Sequence, residues 1–149
     1  MVRILSRLLQ RLNRVLGLAG RAGEGPPREE SVLGAKGEAF AAKYLQRAGY
    51  TILERNARLP MGEADLIVRT PQGTHVVVEV KTRARGKNAR SDQAAPELAI
   101  TRHKRRTLRA IATFLGRANN WGRVSVDVIA VEWPLAGGAP TLRHHQGVL

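Results

Sequence analysis

The sequence predicts a single α/β domain in which a mixed central β-sheet is flanked by α-helices. Its 149 residues and 43% hydrophobic content suit one globular domain with a substantial core. Apolar residues recur at helical spacing in residues 34–48 and 101–115, and they alternate at strand spacing in several stretches between and after them. Helical and strand patterns therefore alternate along one chain, which is typical of this fold class.

The first helix is predicted over residues 34–48, with Gly49 as its C-terminal stop. Its inward-facing stripe contains Glu38, Ala41, Ala42 and Leu45. The spacing leaves two explanations for Glu38. Either it is an acid in the first turn, favoured by the helix dipole, or it belongs to a site beneath the helix.

Three strands are predicted next, over residues 51–56, 63–69 and 75–82. Pro60 and Gly62 lie in the first connection. The second connection fits a hairpin loop in which Gly73 takes a positive φ. Because both connections are short, the three strands are expected to form a meander.

The remaining chain predicts a loop, a helix and two strands. Residues 83–95 have little apolar periodicity and predict a mobile basic loop, which is either solvated or closes on a phosphate backbone. Thr101 is predicted to cap the helix over 101–115, and the side that faces inward contains Leu108, Ile111, Ala112 and Leu115. A fourth strand is predicted over 123–133 and a short edge strand over 141–145.

Residues 1–30 differ from the remainder, so the predicted domains are an extension, 1–30, and a folded domain, 31–149. The extension combines leucines and arginines on different faces of an amphipathic helix with a Gly/Pro-rich linker over 20–28. Its arginines recur too often for a signal peptide or a membrane span. We predict a weakly ordered basic extension. The alternatives are a helix on a membrane surface and an arm for nucleic acid or another partner.

The charge balance predicts a polyanionic partner. There are 25 Lys+Arg against 12 Asp+Glu, a net charge of +13, which favours nucleic acid over membrane. The second helix begins with an almost unbroken basic run, although cations at a helix N-terminus oppose the dipole, and this favours a phosphate-binding face over a merely solvated one. The chain has no cysteine, which excludes disulfides and thiolate metal sites and suits a reducing cytoplasm.

Charged residues inside two apolar strands are the main indication of a functional site. The predicted strand over 63–69 carries Glu63 and Asp65, and the one over 75–82 carries Glu79 and Lys81. A buried carboxylate is costly unless it is paired, protonated or bound to a cation. Carboxylates from adjacent strands, with one more from a packed helix, form a hard oxygen site suited to Mg²⁺ or Mn²⁺. A nearby lysine can position the attacking water or stabilise phosphoryl oxygens.

Other classes of catalytic site lack their motifs in this chain. There is no phosphate-binding Gly-rich loop of the P-loop type, no HExxH zinc motif and no Gly-x-Ser-x-Gly elbow. His144 and His145 lie near the C-terminus and are predicted to be surface residues rather than metal ligands.

The charged segments also resemble the motif of a known protein family. Glu38, followed by Gly62-Glu63-Ala64-Asp65-Leu66-Ile67 and by Val78-Glu79-Val80-Lys81-Thr82-Arg83, resembles the PD-(D/E)xK nuclease motif. That motif belongs to the restriction-endonuclease-like fold, which includes archaeal Holliday-junction resolvases. The segments are most similar to those of the YraN family of small bacterial predicted endonucleases. The resemblance covers residues 34–145 and departs from the broad nuclease pattern at Ala64, where proline is common.

The resemblance implies a role for each matching residue. Asp65 and Glu79 are expected to bind Mg²⁺ or Mn²⁺, with Glu38 as an additional acid of the metal site. Lys81 is expected to be the catalytic lysine. Glu63 is left out of the catalytic set, and Asp127 is expected to pair with a basic residue rather than to bind metal.

The predicted function is metal-dependent hydrolysis of phosphodiester bonds in DNA, on branched or single-stranded structures. The alternative is a non-catalytic nucleic-acid-binding or recombination-partner module of the same fold. A homodimer would suit a four-way junction, and a membrane contact by the N-terminal arm is a third interpretation. The DNA backbone is expected to contact seven basic residues, Arg83, Arg85, Lys87, Arg102, Lys104, Arg105 and Arg106.

Overall fold

A computed structural model describes residues 29–86 and 100–149. In this part of the chain two helices enclose one five-stranded sheet. The elements in chain order are α1 (Glu29–Arg47), β1 (Thr51–Leu59), β2 (Gly62–Arg69), β3 (His75–Arg85), α2 (Arg102–Ala118), β4 (Ser125–Pro134) and β5 (Thr141–His145).

The strands lie in the sheet in their chain order, β1 to β5. Strands β1, β2 and β3 form the predicted antiparallel meander, while β4 pairs parallel to β3 and antiparallel to β5. A parallel pair needs a crossover connection, and α2 lies in the segment that joins β3 to β4. The predicted mixed sheet with flanking helices is confirmed.

Two aliphatic layers hold the helices on opposite faces of the sheet. Leu45 of α1 packs with Val78 and Ile129 on one face. On the other face Leu108 of α2 packs with Val77 and with other buried aliphatic residues. The predicted inward side of this helix is confirmed, because Leu108, Ile111, Ala112 and Leu115 are all buried.

Helix α1 begins at Glu29, five residues before the predicted start at Gly34. Glu29 and Glu30 fall within the predicted extension, 1–30, so the helix starts before the predicted boundary of the folded domain. The predicted stop is confirmed, since Gly49 follows the helix with a φ of 85°. The arm and linker, residues 1–28, lie outside the described residues, and their role stays a prediction.

Strand β3 is longer than predicted, and the loop prediction was wrong at its start. Arg83 and Arg85 belong to β3, because the parallel ladder with β4 continues as far as the pair of Arg85 and Pro134. Apolar periodicity does not predict this extension of β3, because the hydrogen bonds that hold Arg83 and Arg85 in the strand come from β4. The rest of the predicted loop, from residue 87, falls outside the described residues. Within the described ranges no helix is long and apolar enough to cross a membrane.

Candidate active site

Strands β2 and β3 separate at a position that we call the strand fork, formed by Asp65 and Glu79. The paired register of the two strands ends at Leu66 and Val78. Beyond it, β2 continues along β1 while β3 continues along β4. The backbone N–H of Val80 donates instead to Asp65 Oδ2, at 2.7 Å. The fork thus directs two carboxylates into one region of the sheet.

Glu79 is buried, with only 3% of its surface exposed, and two lysines compensate its charge. Lys81 Nζ lies 3.0 Å from Oε1, and Lys104 Nζ lies 3.0 Å from Oε2. The second contact is an ion pair without hydrogen-bond geometry, so the buried Oε2 accepts no hydrogen bond from the described residues. A buried carboxylate oxygen with spare acceptor capacity is suited to a cation.

Lys104 reaches the fork because the start of α2 lies close to the start of β2. A Cβ on Gly62 would come within 2.5 Å of Thr107, and the φ of Gly62 is 144°, so this position requires glycine on two grounds. The Thr101 hydroxyl caps the helix by accepting from the N–H of Lys104 at 3.1 Å. The Lys104 ammonium also donates to the Glu63 carbonyl at 3.1 Å.

The third acid, Glu38, approaches from α1. Burial raises its pKa, a side-chain hydrogen bond with Asn56 opposes the rise, and the charge of Glu79 adds to it. Because α1 begins at Glu29, Glu38 lies about three turns into the helix. The dipole acts only within the first turn, so it does not explain this acid. The negative charge of Glu79 contributes to the raised pKa of Glu38, so the two acids interact electrostatically.

The pKa of Asp65 is raised to about 6. Burial is the main cause, and the negative charges of Glu79 and Glu38 contribute in the same direction. The Val80 N–H and the Lys104 ammonium act against the rise. Acids that raise one another's pKa are relieved by a bound cation, which stabilises every ionised form at once.

The carboxylates of Asp65, Glu79 and Glu38 fit a divalent metal that needs few protein ligands. Among the residues in the described ranges, no group of three or more His, Cys, Asp or Glu side chains could already hold a metal ion. Mg²⁺, however, is usually bound by one or two carboxylates, with waters and substrate phosphates completing its octahedron. Asp65 and Glu79 can supply such a pair, and Glu38 can act directly or through water.

Comparison with known proteins identifies the family. The uncharacterised protein family UPF0102 matches residues 37–131, more than half of the chain. The chain belongs to the UPF0102 family. A UPF0102 protein of Clavibacter michiganensis is 43% identical over 76% of this chain and 92% of its own length. A second, from Corynebacterium efficiens, is 39% identical over 80% of this chain and 93% of its own. The YraN resemblance is thereby confirmed.

One solved structure resembles this UPF0102 chain at a lower level. It is a complex of EndoMS with double-stranded DNA, with 19% identity and a TM-score of 0.41. The likeness spans 72% of this chain and 38% of the EndoMS chain, little more than a third of its length. Membership of the UPF0102 family rests on the family match and on the curated relatives.

Sequence reasoning missed Asn56 as a residue of this UPF0102 site. It interrupts β1 with a φ of 49°, a left-handed conformation that Asn tolerates better than most residues. The flanking register pairs Arg55 with Leu66 and Ala57 with Ala64, so Asn56 lies across the ladder from Asp65. Its side chain hydrogen-bonds Glu38. The available signal was a lone Asn inside a strand pattern. Asn56 is instead the last residue of the predicted strand, 51–56.

The predicted basic residues occupy two different environments. Arg102, Arg105 and Arg106 are exposed on the first turns of α2, as a backbone-binding face requires. Lys104, between them, is partly buried at the fork. Arg85 lies 4.0 Å from Glu132 at the end of β3. Lys87 lies outside the described residues.

Two acids outside the catalytic set have partners of their own. Glu63 is exposed and lies 3.0 Å from Arg58 Nε. Asp127 accepts from the N–H of Gly147 at 2.8 Å and lies 2.9 Å from His144 Nε2, which agrees with the expected pairing to a basic residue. The prediction that His144 is a surface residue was wrong, because its side chain is only 7% exposed. Asp127 fixes the C-terminal segment against β4.

Proposed function

We propose that this UPF0102 protein is a metal-dependent endonuclease that hydrolyses phosphodiester bonds in DNA. The observation that carries the proposal is the convergence of Asp65, Glu79 and Lys81 at the strand fork. Two carboxylates from neighbouring strands lie beside an ammonium group, within a chain of net charge +13. This combination suits a reaction that needs a hard cation, a positioned water and a polyanionic substrate.

Asp65 and Glu79 would hold Mg²⁺ or Mn²⁺, and Glu38 would complete the site directly or through a water. Bound there, the metal supplies Lewis-acid activation of water and neutralises charge on the phosphoryl group. The Val80 N–H keeps the Asp65 carboxylate oriented, because it fixes one oxygen at 2.7 Å. The other oxygen would then coordinate the metal.

Lys81 would act on the reacting groups themselves. It lies two residues after Glu79 on the same strand, and its side chain is about one-third exposed, at 36%. An ammonium group in that position can orient the attacking water or stabilise the developing charge on the phosphoryl oxygens. The water would lose one proton to solvent as it attacks phosphorus, the bond from phosphorus to the leaving oxygen would break, and that oxygen would take a proton from solvent.

The exposed arginines of α2 would bind the DNA backbone beside the fork. Arg102, Arg105 and Arg106 lie on the helix whose first turn carries Lys104 into the site. Contacts to phosphates position DNA without reading its sequence. A structure-selective activity on branched or single-stranded DNA is consistent with such contacts, and a homodimer would suit a four-way junction.

Cleavage assays separate this proposal from a non-catalytic nucleic-acid-binding or recombination-partner module. Purified protein is incubated with Mg²⁺, Mn²⁺ or EDTA and with linear, single-stranded, flap and four-way-junction DNA. We expect cleavage of at least one structure with metal and none with EDTA. Binding without cleavage of any substrate in either metal would favour the non-catalytic module.

A further inference from the structure

We infer that Lys104 is a second lysine of the active site, which competes with the metal ion for Glu79 and moves to a substrate phosphate when the metal binds. The inference rests on the proposed function and assigns Lys104 a regulatory position within that site. It changes the expected role of this residue, which the sequence grouped with the DNA-backbone contacts of α2.

Both oxygens of Glu79 already have an ammonium partner. Lys81 lies 3.0 Å from Oε1, and Lys104 lies 3.0 Å from Oε2. A metal ion that binds Oε2 would place its charge beside the Lys104 ammonium, so the two cations compete for this oxygen. Lys104 is the weaker partner, because its contact with Oε2 lacks hydrogen-bond geometry.

Lys104 approaches Glu79 from a different element than Lys81 does. Lys81 shares a strand with Glu79, whereas Lys104 comes from the first turn of α2. A long lysine side chain can change its rotamer without moving the helix. The Glu63 carbonyl, which accepts from the Lys104 ammonium at 3.1 Å, lies two residues before Asp65 and keeps that ammonium beside the fork.

Local stability does not explain the burial of Lys104. A cation in the first turn of a helix opposes the dipole, and burying a charged group costs free energy. Arg102, Arg105 and Arg106 in the same turns remain exposed, but the Lys104 side chain is only 27% exposed. The charge of Glu79 compensates this cost, so the burial of Lys104 depends on the fork and not on the stability of the helix.

The test measures Mn²⁺ binding to the DNA-free protein, by isothermal titration calorimetry, in three proteins. Lys104→Met keeps the length of the side chain and removes its charge. Arg105→Met is the matched control, because it removes one positive charge from the adjacent, exposed position of the same helix. We expect Lys104→Met to bind Mn²⁺ roughly five-fold more tightly than wild type, and Arg105→Met to stay within about two-fold.

A second measurement follows the ammonium group to the phosphate. The affinity for a flap DNA is measured with EDTA and with Ca²⁺, a divalent cation used here to bind without supporting cleavage. In wild type, Ca²⁺ should strengthen DNA binding, because it frees Lys104 for a phosphate. That gain should fall by at least about three-fold in Lys104→Met, whereas Arg105→Met should lose affinity equally under both conditions.

The outcomes separate this inference from the proposed function. If Lys104→Met binds Mn²⁺ no more tightly than Arg105→Met, Lys104 does not compete for Glu79 and the inference is wrong, although a metal-dependent nuclease remains supported. If none of the three proteins binds Mn²⁺, both proposals are wrong. Tighter binding in Lys104→Met alone, together with the reduced Ca²⁺ gain, supports the inference.

Discussion

The backbone N–H of Val80 donates a 2.7 Å hydrogen bond to the Asp65 carboxylate at the point where β2 and β3 cease to pair. This contact serves the fold and the candidate site together. It satisfies a backbone donor that lacks a strand partner on that side, and it orients an acid whose pKa is raised to about 6. The site is therefore built from the irregularity of the sheet.

Two substitutions at Asp65 should separate its structural role from its chemical one. Asp65→Asn keeps an oxygen for the Val80 N–H and removes the repulsion with Glu79, so we expect a protein at least as stable as wild type. Asp65→Ala leaves that N–H without an acceptor, which should cost roughly 1–3 kcal/mol. Urea denaturation of both variants measures the difference. Equal stabilities would show that the hydrogen bond contributes nothing.

The raised pKa of Asp65 predicts how stability depends on pH. A folded-state pKa of about 6, against an ordinary value of 3.8, means that the folded protein binds this proton more tightly than the unfolded chain does. The stabilisation is complete below 3.8 and is lost as the pH rises through about 6. The free energy of unfolding of wild type relative to Asp65→Asn should therefore decrease between about pH 4 and about pH 7. Chemical denaturation across that interval checks this, and a constant or increasing difference would contradict it.

Asn56 should tolerate glycine but not alanine. Glycine adopts a φ of 49° without strain, so Asn56→Gly should keep the fold while removing the hydrogen bond to Glu38. The pKa of Glu38 should then rise further, because that bond lowers it. Asn56→Ala removes the same bond but strains the backbone, and should cost about 1 kcal/mol more. Denaturation midpoints and carboxyl titration by NMR measure the two effects, and equal stabilities of the two variants would refute the backbone argument.

The packing of α1 on β3 depends on Gly37. A Cβ at this position would overlap the Thr82 side chain, whereas a Cβ at Gly34 would meet no atom within 4 Å. Gly37→Ala should destabilise the protein by roughly 1–3 kcal/mol. Gly34→Ala, one turn earlier, should stabilise it by up to about 1 kcal/mol. Thermal denaturation compares them. Thr82→Ala should rescue Gly37→Ala only in part, because it removes Oγ1 and Cγ2 but keeps the Thr82 Cβ, which also lies too close. A double variant no more stable than Gly37→Ala would show that the overlap is not the cause.

The sequence predicted those parts of the fold that depend on local patterns. Period-two and helical spacing located every described element, and Gly49, Gly73 and Thr101 have the turn or capping roles expected of them. Element ends were less predictable, because they depend on partners. Arg83 and Arg85 look like loop residues until β4 is placed beside them, and only the parallel ladder extends the strand.

In the candidate site too, some residues follow from local patterns and others depend on tertiary partners. Asp65, Glu79 and Lys81 follow from charged residues in apolar strands, since burial makes them costly in any fold. Asn56 and Lys104 could not be assigned to it from sequence, because each reaches the fork through tertiary geometry. A left-handed residue in β1 places the first across the ladder from Asp65, and the close approach of α2 to Gly62 brings in the second.

The most direct test of the central claim is the initial rate of DNA cleavage with Mn²⁺ in wild type, Asp65→Asn and Glu63→Gln. The two variants neutralise acids two residues apart on β2, but Asp65 lies at the fork and Glu63 is an exposed partner of Arg58. We predict that Glu63→Gln cleaves within about two-fold of wild type and that Asp65→Asn is slower by at least about a thousand-fold. An Asp65→Asn protein that cleaves as fast as Glu63→Gln would contradict the account.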